Sequence, residues 1–334
     1  MRLKFEEHGL CVAEHGRPPA SGLFFSSSTP TLLETGTNES SLQNRPSTRQ
    51  GFGLVATQPI SRGTLVLEER PLFTSIGFAS ESDLVRKLRA KSQIEQDAIN
   101  ALCNSHPQLP LLVGIVKTNA LPMGDTSAGA ANPAMGVALF KLGCRINHSC
   151  TPNVNHHWHQ SRGVETFFAT RQIQIGEELS IYYYNPFSPR QERQGYLLNT
   201  FGSKCECETC VLPPLDAAAS DVRRTAIQRA IDEIPRLTRS PEAIIKLVRQ
   251  AFKNIDREGL VVGKGSLAYD AYQAAAAWKD NKNAIKWAKL SAECYLVETG
   301  DKSACYAMSR GYQAAPTSHR AYGMFGRRTV GGPE

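Results

Sequence analysis

No stretch of this sequence approaches the ~20 consecutive apolar residues that a bilayer-spanning helix needs, so a membrane protein is not expected. A secretory leader is not expected either. The opening MRLKFEEHGL is charged throughout, and the apolar run GLFF at 22–25 is too short for a signal-peptide core. Runs of five basic residues are also missing, and the net charge of +7 is modest for 334 residues, so charge is a weak guide to function; direct nucleic-acid binding is not expected. Without a secretory leader a disulfide framework is not expected. Nine cysteines, an odd number at scattered spacings in a chain read as intracellular (nucleus, cytoplasm or both), are thiols or metal ligands. What remains is a chain with 41% apolar and 21% charged residues, enough to fold around a core and long enough for more than one unit.

The first 48 residues are rich in Ser, Thr, Asn and Pro without periodicity and read as a mobile leader. From Gln50 the character changes. GFGLVATQPI and SRGTLVLEERPLF are two β-like runs separated by a Ser-Arg-Gly turn, which fits a hairpin or paired strands. Residues 81–106 place Leu84, Leu88, Ile94, Ala98 and Leu102 at helical intervals, and a Gly/Ala/Pro loop follows at 124–136. Val137 to Tyr184 reads as short strands and turns. Beyond Pro214 the pattern is helical: Ile227, Ile231 and Ile234 share a face, Ser240-Pro241 opens a helix that Gly259 stops, and two helices at about 266–279 and 283–298 follow. Small residues at Ala275, Ala276, Ala284 and Ala288 let that last pair pack closely. The Arg-rich end, RAYGMFGRRTVGGPE, reads as a mobile tail.

Three local patterns carry chemistry. KCECETC sets Cys205, Cys207 and Cys210 in C-x-C-x-x-C spacing, one thiolate short of a closed tetrahedral zinc site. The intervening Glu206 and Glu208 point away from a metal so tightly held, which favours a structural ion over a catalytic one. RINHSCTPN, 145–153, is too dense in turn formers for a regular strand and reads as a built loop. IGEELSIYYYNP, 175–186, joins a Gly turn and two acids to a strand with three tyrosines, a pattern that packing alone also produces. The run His156 to His159 lacks a spaced third ligand and is read as a solvated strand rather than a metal site.

Taken in order, these pieces resemble the SET-domain protein lysine methyltransferases, most closely the SET-and-MYND-like group with a post-SET zinc knuckle. The matching stretches are Gly51-Phe52-Gly53-Leu54, Thr118-Asn119-Ala120, Asn147-His148-Ser149-Cys150 with Pro152-Asn153, Gly176-Glu177-Glu178-Leu179 leading to Tyr183, and the three knuckle cysteines. The resemblance covers about half the chain. It implies an α+β architecture: a β-rich SET fold at 49–200 with a knot-like crossing and a helical insert at about 72–135, a zinc knuckle at 201–213, and an all-helical, TPR-like C-terminal domain at 214–334.

The resemblance also implies an S-adenosylmethionine-dependent protein-lysine N-methyltransferase, acting on a histone or another protein that presents a lysine, as a monomer. Tyr183 is then the catalytic residue, and Gly51, Phe52, Asn119, Asn147, His148 (through its backbone), Tyr183 and Phe201 hold the cofactor. If the strand is regular, Tyr182 and Tyr184 are expected on the face opposite Tyr183, either as structural residues or, for Tyr184, on the substrate side. For the missing metal ligand the nearest upstream thiols are Cys144 and Cys150. Cys150 is expected, because it lies in the loop whose Asn147 and His148 hold the cofactor. Two departures stand out. Between 72 and 135 only Cys103 occurs, so no MYND finger is present, and Ser203 stands where the family has a phenylalanine against the cofactor. The latter motivates an alternative, a SET-derived binding or scaffold protein without turnover.

Overall fold

Among the described residues up to Ala169, short strands alternate with one helical insert. The computed structural model describes residues 41–47, 51–75, 80–124, 136–237 and 239–333. Most of the expected leader and of the Gly/Ala/Pro loop lies outside these residues. Leu42–Pro46, assigned by the sequence to the leader, is instead strand β1, antiparallel to β2 at Phe52–Ala56. Strand β3 at Leu65–Glu69 does not close a hairpin with β2; it pairs with a strand a hundred residues downstream. The turn at Ser61 to Gly63 therefore hands the chain from one sheet to another, a topology that local patterning does not encode.

After β4 (Phe73–Ser75) the insert folds as three short helices, α1 (Glu81–Arg89), α2 (Gln93–Asn100) and α3 (Leu111–Asn119). The single periodic stretch expected at 81–106 breaks because Ser92 caps α2 in a reciprocal capping box with Glu95. Ile94, counted on the buried face, is 81% exposed as a result. Helix α3 delivers Thr118-Asn119 to β5 (Leu121–Pro122), which pairs with β6 (Val137–Leu139), and β6 pairs with β4.

The segment β7 (Asn147–His148) follows, then β8 (Val154–His159) and β9 (Val164–Ala169), with sheet order β3-β9-β8. Every residue of β8 and β9 is buried. The histidine run in β8 is thus no solvated strand. His156 meets the Glu165 carboxylate at 2.7 Å and His159 Nε2 meets Thr166 Oγ1 at 2.9 Å, while desolvation pushes the pKa of both His157 and His159 down to about 4. Strand β10 (Ser180–Ile181) lies parallel to β7, and the Asn153 side chain ties the two chain segments together. It accepts from the Ser180 amide at 2.8 Å and donates to the Glu178 carbonyl at 2.9 Å.

Helix α4 (Arg190–Phe201) ends at Gly202, whose left-handed φ of 67° turns the chain into the cysteine knuckle. Five more helices follow: α5 (Pro214–Glu233), α6 (Pro241–Arg257), α7 (Lys264–Ala277), α8 (Asn281–Glu298) and α9 (Ala304–Ala314). Ala275, Ala276, Ala284 and Ala288 are buried together in the second hydrophobic core, around Tyr272 and Trp287. The first core, around Leu67, Phe140, Phe167 and Leu179, fills the β-rich half. The chain end is bound to the helices. Val330 N–H donates to Asp280 at 2.7 Å, Trp287 Nε1 to Gly331 O at 2.8 Å and Arg249 Nη2 to Gly332 O at 2.5 Å, so the expected mobile tail is a packed strap.

Candidate functional site

The crossing of β7 with β10 builds the site. Tyr183 follows β10 by two residues, and its hydroxyl donates to the Ile146 carbonyl at 2.8 Å, while its own amide donates to His148 Nδ1 at 3.0 Å. Burial first, then the nearby Cys144 and Glu178, drives the Tyr183 pKa upward. Its hydroxyl stays protonated at neutral pH and acts as a donor. The backbone has left regular strand geometry by Tyr182, so the expected alternation fails: Tyr182, Tyr183 and Tyr184 all line one cavity.

That cavity has a volume of about 440 Å³. Its aromatic wall runs from Tyr183 to Phe201 (ring centroids 5.1 Å apart), on to Tyr196 (6.2 Å) and to Tyr184, stacked on Tyr196 at 4.5 Å. Tyr196 is a site residue that the sequence reading missed. Its signal is the spacing on α4, where Tyr196, Thr200 and Phe201 share the helix face turned to the cavity. His156 also lines the cavity, which a solvated strand does not predict.

Gly51, Phe52 and Asn147 come together on another side of the crossing. Asn147 Nδ2 donates to the Phe52 carbonyl at 3.2 Å and to Glu178 Oε1 at 2.7 Å, and Ser47 Oγ donates to the same carboxylate at 2.9 Å. A side chain at Gly53 would not fit: its Cβ would stand 2.3 Å from Glu178 Oε1 and 2.8 Å from Asn147 Nδ2. This is a cradle that only glycine permits, with Gly51 and the 58%-exposed Phe52 ring at its edge. The combination of an open aromatic face, a pre-oriented amide and a close backbone fits an adenosyl ligand. Asn119 is placed apart from this cradle. It lines the aromatic cavity, and its amide nitrogen donates to the carbonyls of Cys103 (2.6 Å) and Ile115 (2.7 Å).

The fourth thiol is beside the other three. The sulfurs of Cys150, Cys205, Cys207 and Cys210 all lie within 4.8 Å of one another, with Cys150 at 3.6 Å from Cys210 and 4.0 Å from Cys205. A tetrahedron with metal–sulfur bonds of ~2.3 Å separates its sulfurs by about 3.8 Å, so this donor set is compatible with zinc. Cys144 is elsewhere: its sulfur accepts the Phe140 amide at 3.1 Å, and burial raises its pKa to about 12. The cluster also has a cationic neighbour. Burial opposes the Arg193 charge, yet Cys150 and Cys210 beside it carry its pKa upward, as anionic sulfur does. Gln194 donating to the Cys205 carbonyl (3.2 Å), and Thr151 bonded to Thr209 (2.7 Å), tie α4 and the loop after β7 to the knuckle.

The parallel pairing of two chain segments and the tyrosine hydroxyl beside it lie within a segment that matches a known domain family, with the cysteine knuckle just after it. Residues 51–184 match the SET domain family. The chain is similar to histone-lysine N-methyltransferase set5 of Schizosaccharomyces pombe, at 29% identity over 82% of this chain and 84% of that protein. It is also similar to N-lysine methyltransferase SMYD2 of Mus musculus (25% identity, 44% of this chain, 32% of that protein). SET domain-containing protein SmydA-8, isoform A, of Drosophila melanogaster matches at 32% identity over 31% of this chain and 22% of its own length. The alignment thus spans most of set5 but a third or less of the other two relatives.

Proposed function

We propose that the protein is an S-adenosylmethionine-dependent protein-lysine N-methyltransferase. The observation that carries this reading is the Tyr183 hydroxyl, fixed on the Ile146 carbonyl at 2.8 Å in the wall of an aromatic cavity. When bound, S-adenosylmethionine supplies an electrophilic methyl group on a sulfonium. The residues of this chain supply alignment and dryness, which an in-line displacement needs more than it needs a covalent intermediate.

In this reading Gly51, Phe52, Asn147 and the His148 backbone hold the cofactor, Asn119 and Phe201 lie in the wall of the aromatic cavity beside it, and Tyr183 orients the reacting centre. The aromatic walls of Tyr183, Tyr184, Tyr196 and Phe201 take the aliphatic stem of the lysine. Their low polarity pulls the lysine pKa down from its ordinary ~10.4, so that the nucleophilic neutral amine becomes accessible. Tyr183 is no base for that proton, since it holds its own so firmly. Its hydroxyl oxygen, whose one proton is given to Ile146, and the Ile146 carbonyl instead present lone pairs to the amine and the methyl-bearing centre. A zinc ion held by Cys150, Cys205, Cys207 and Cys210 would be structural, since four thiolates would leave no coordination position for water.

The test is methyl transfer from labelled S-adenosylmethionine onto a panel of histones and cell-extract proteins, with the modified residue located by mass spectrometry. Methyl-lysine on a defined protein is expected, and its identity decides between a histone and another target. Cofactor binding by calorimetry with no transfer to any protein would leave the alternative, a SET-derived binding protein.

A further inference from the structure

One side chain bridges the two halves of the site. The His148 ring stands between Tyr183 and Cys150: its Nδ1 lies 3.0 Å from the Tyr183 amide nitrogen and its Nε2 lies 3.3 Å from Cys150 Sγ. A backbone N–H can only donate, so Nδ1 must present its lone pair to Tyr183. The ring proton then sits on Nε2, directed at the sulfur. A metal-bound thiolate is a good acceptor for it, since the charge on sulfur strengthens the hydrogen bond.

We propose that the His148 imidazole is a positioning residue that transmits the state of metal ligand Cys150 to the backbone of Tyr183. The geometry needs both ends. Zinc holds Cys150 as a thiolate, the thiolate fixes the tautomer and orientation of the ring, and the ring fixes the amide of the residue whose hydroxyl faces the cavity. Outer-shell hydrogen bonds of this kind set ligand orientation and basicity at metal sites. Here the outer shell of a structural metal is also the support of the reacting tyrosine. The rings of His148 and Tyr183 are 5.4 Å apart and tilted by 54°, so a swing of the imidazole would press on the tyrosine ring as well as on its amide.

The rate consequence rests on the methyltransferase reading, but the link itself does not. In the full chain, with histidine nitrogens labelled and the zinc replaced by a spin-active cadmium isotope, the His148 ring is expected as the Nε2-protonated tautomer. Its Nε2 proton should show scalar coupling to cadmium through the Cys150 sulfur. A ring protonated on Nδ1, or an Nε2 proton without that coupling, overturns the link whatever the enzyme does. The variant His148→Phe keeps a ring and loses both nitrogens. It is expected to lower cadmium affinity and kcat by about 10- to 100-fold each, leaving KM for the protein substrate unmoved. An unchanged kcat, or a loss confined to KM, overturns the positioning role. If His148→Phe does not fold, the tautomer and coupling in the unmodified protein still decide. Complete absence of transfer by the unmodified protein refutes the methyltransferase reading alone.

Discussion

At the scale of single residues, the site depends on which atom each side chain offers. Tyr183 offers a hydroxyl that is already a donor to Ile146 O, and removing it takes that partner from a part-buried carbonyl. Tyr183→Phe is expected to lower kcat by about 100-fold, the scale typical of losing one pre-organised donor, while the near-identical ring keeps the circular dichroism spectrum unchanged. Full retention of transfer would show that the hydroxyl does not orient the reacting centre. The choice of Cys150 over Cys144 was open to the sequence reading because Cys150 shares a loop with Asn147 and His148. The place of Asn119 was not, since that depends on the hydrogen bonds that α3 makes to Cys103 O and Ile115 O. Nor could a sequence reveal that three consecutive tyrosines would all face one cavity, because that requires the strand to end after Ile181.

At the scale of elements, helices were more legible than strands. The alanine-rich pair α7 and α8 and the Pro241 start of α6 follow from periodicity and capping. The pairing of β3 with β9, or the burial of the histidine run under both faces of its sheet, follows from long-range packing that no window of sequence contains. The knuckle after α4 has little core of its own: its cysteines pack chiefly against one another, in a set compatible with zinc. Cys150→Ser is therefore expected to lower bound zinc, measured by atomic emission, from one equivalent to well below it, and to lower cofactor affinity with it. An unchanged zinc content would mean that another residue is the fourth ligand. Helix α7 carries a different liability. Asp270 is buried, and desolvation raises its pKa from 3.8 to about 8. The folded protein keeps this proton over a pH range in which the unfolded chain has lost it, so its contribution to stability is full below about pH 4 and declines as pH rises through about 8. Asp270→Asn should flatten the fall in Tm between those values, and identical pH profiles for the two proteins would refute this assignment.

At the scale of the whole molecule, Arg224 of α5 is the bolt between the helical half and the SET half. Its side chain is fully buried; Nε donates to Glu258 Oε2 at 2.7 Å, and Nη1 reaches the Cys150 carbonyl at 3.0 Å as well as that of Pro186. Nη2 adds Thr151 Oγ1 at 3.1 Å, so one guanidinium holds the loop of the metal ligand and the segment just past the tyrosines. Arg224→Met, which leaves the Glu258 carboxylate buried against Ser220 and Arg223 alone, should cost about 3–5 kcal/mol by denaturant titration. A loss under 1 kcal/mol would mean that the two halves are joined by packing rather than by this cation. The same bolt orders events during synthesis. Every residue that lines the cavity leaves the ribosome before Arg224, and Glu258, which neutralises that arginine, emerges later still. The nascent SET segment must therefore wait with its metal loop unbraced until the start of the helical half is made, a window in which newly made thiols at Cys150, Cys205, Cys207 and Cys210 are open to oxidation and to the wrong metal.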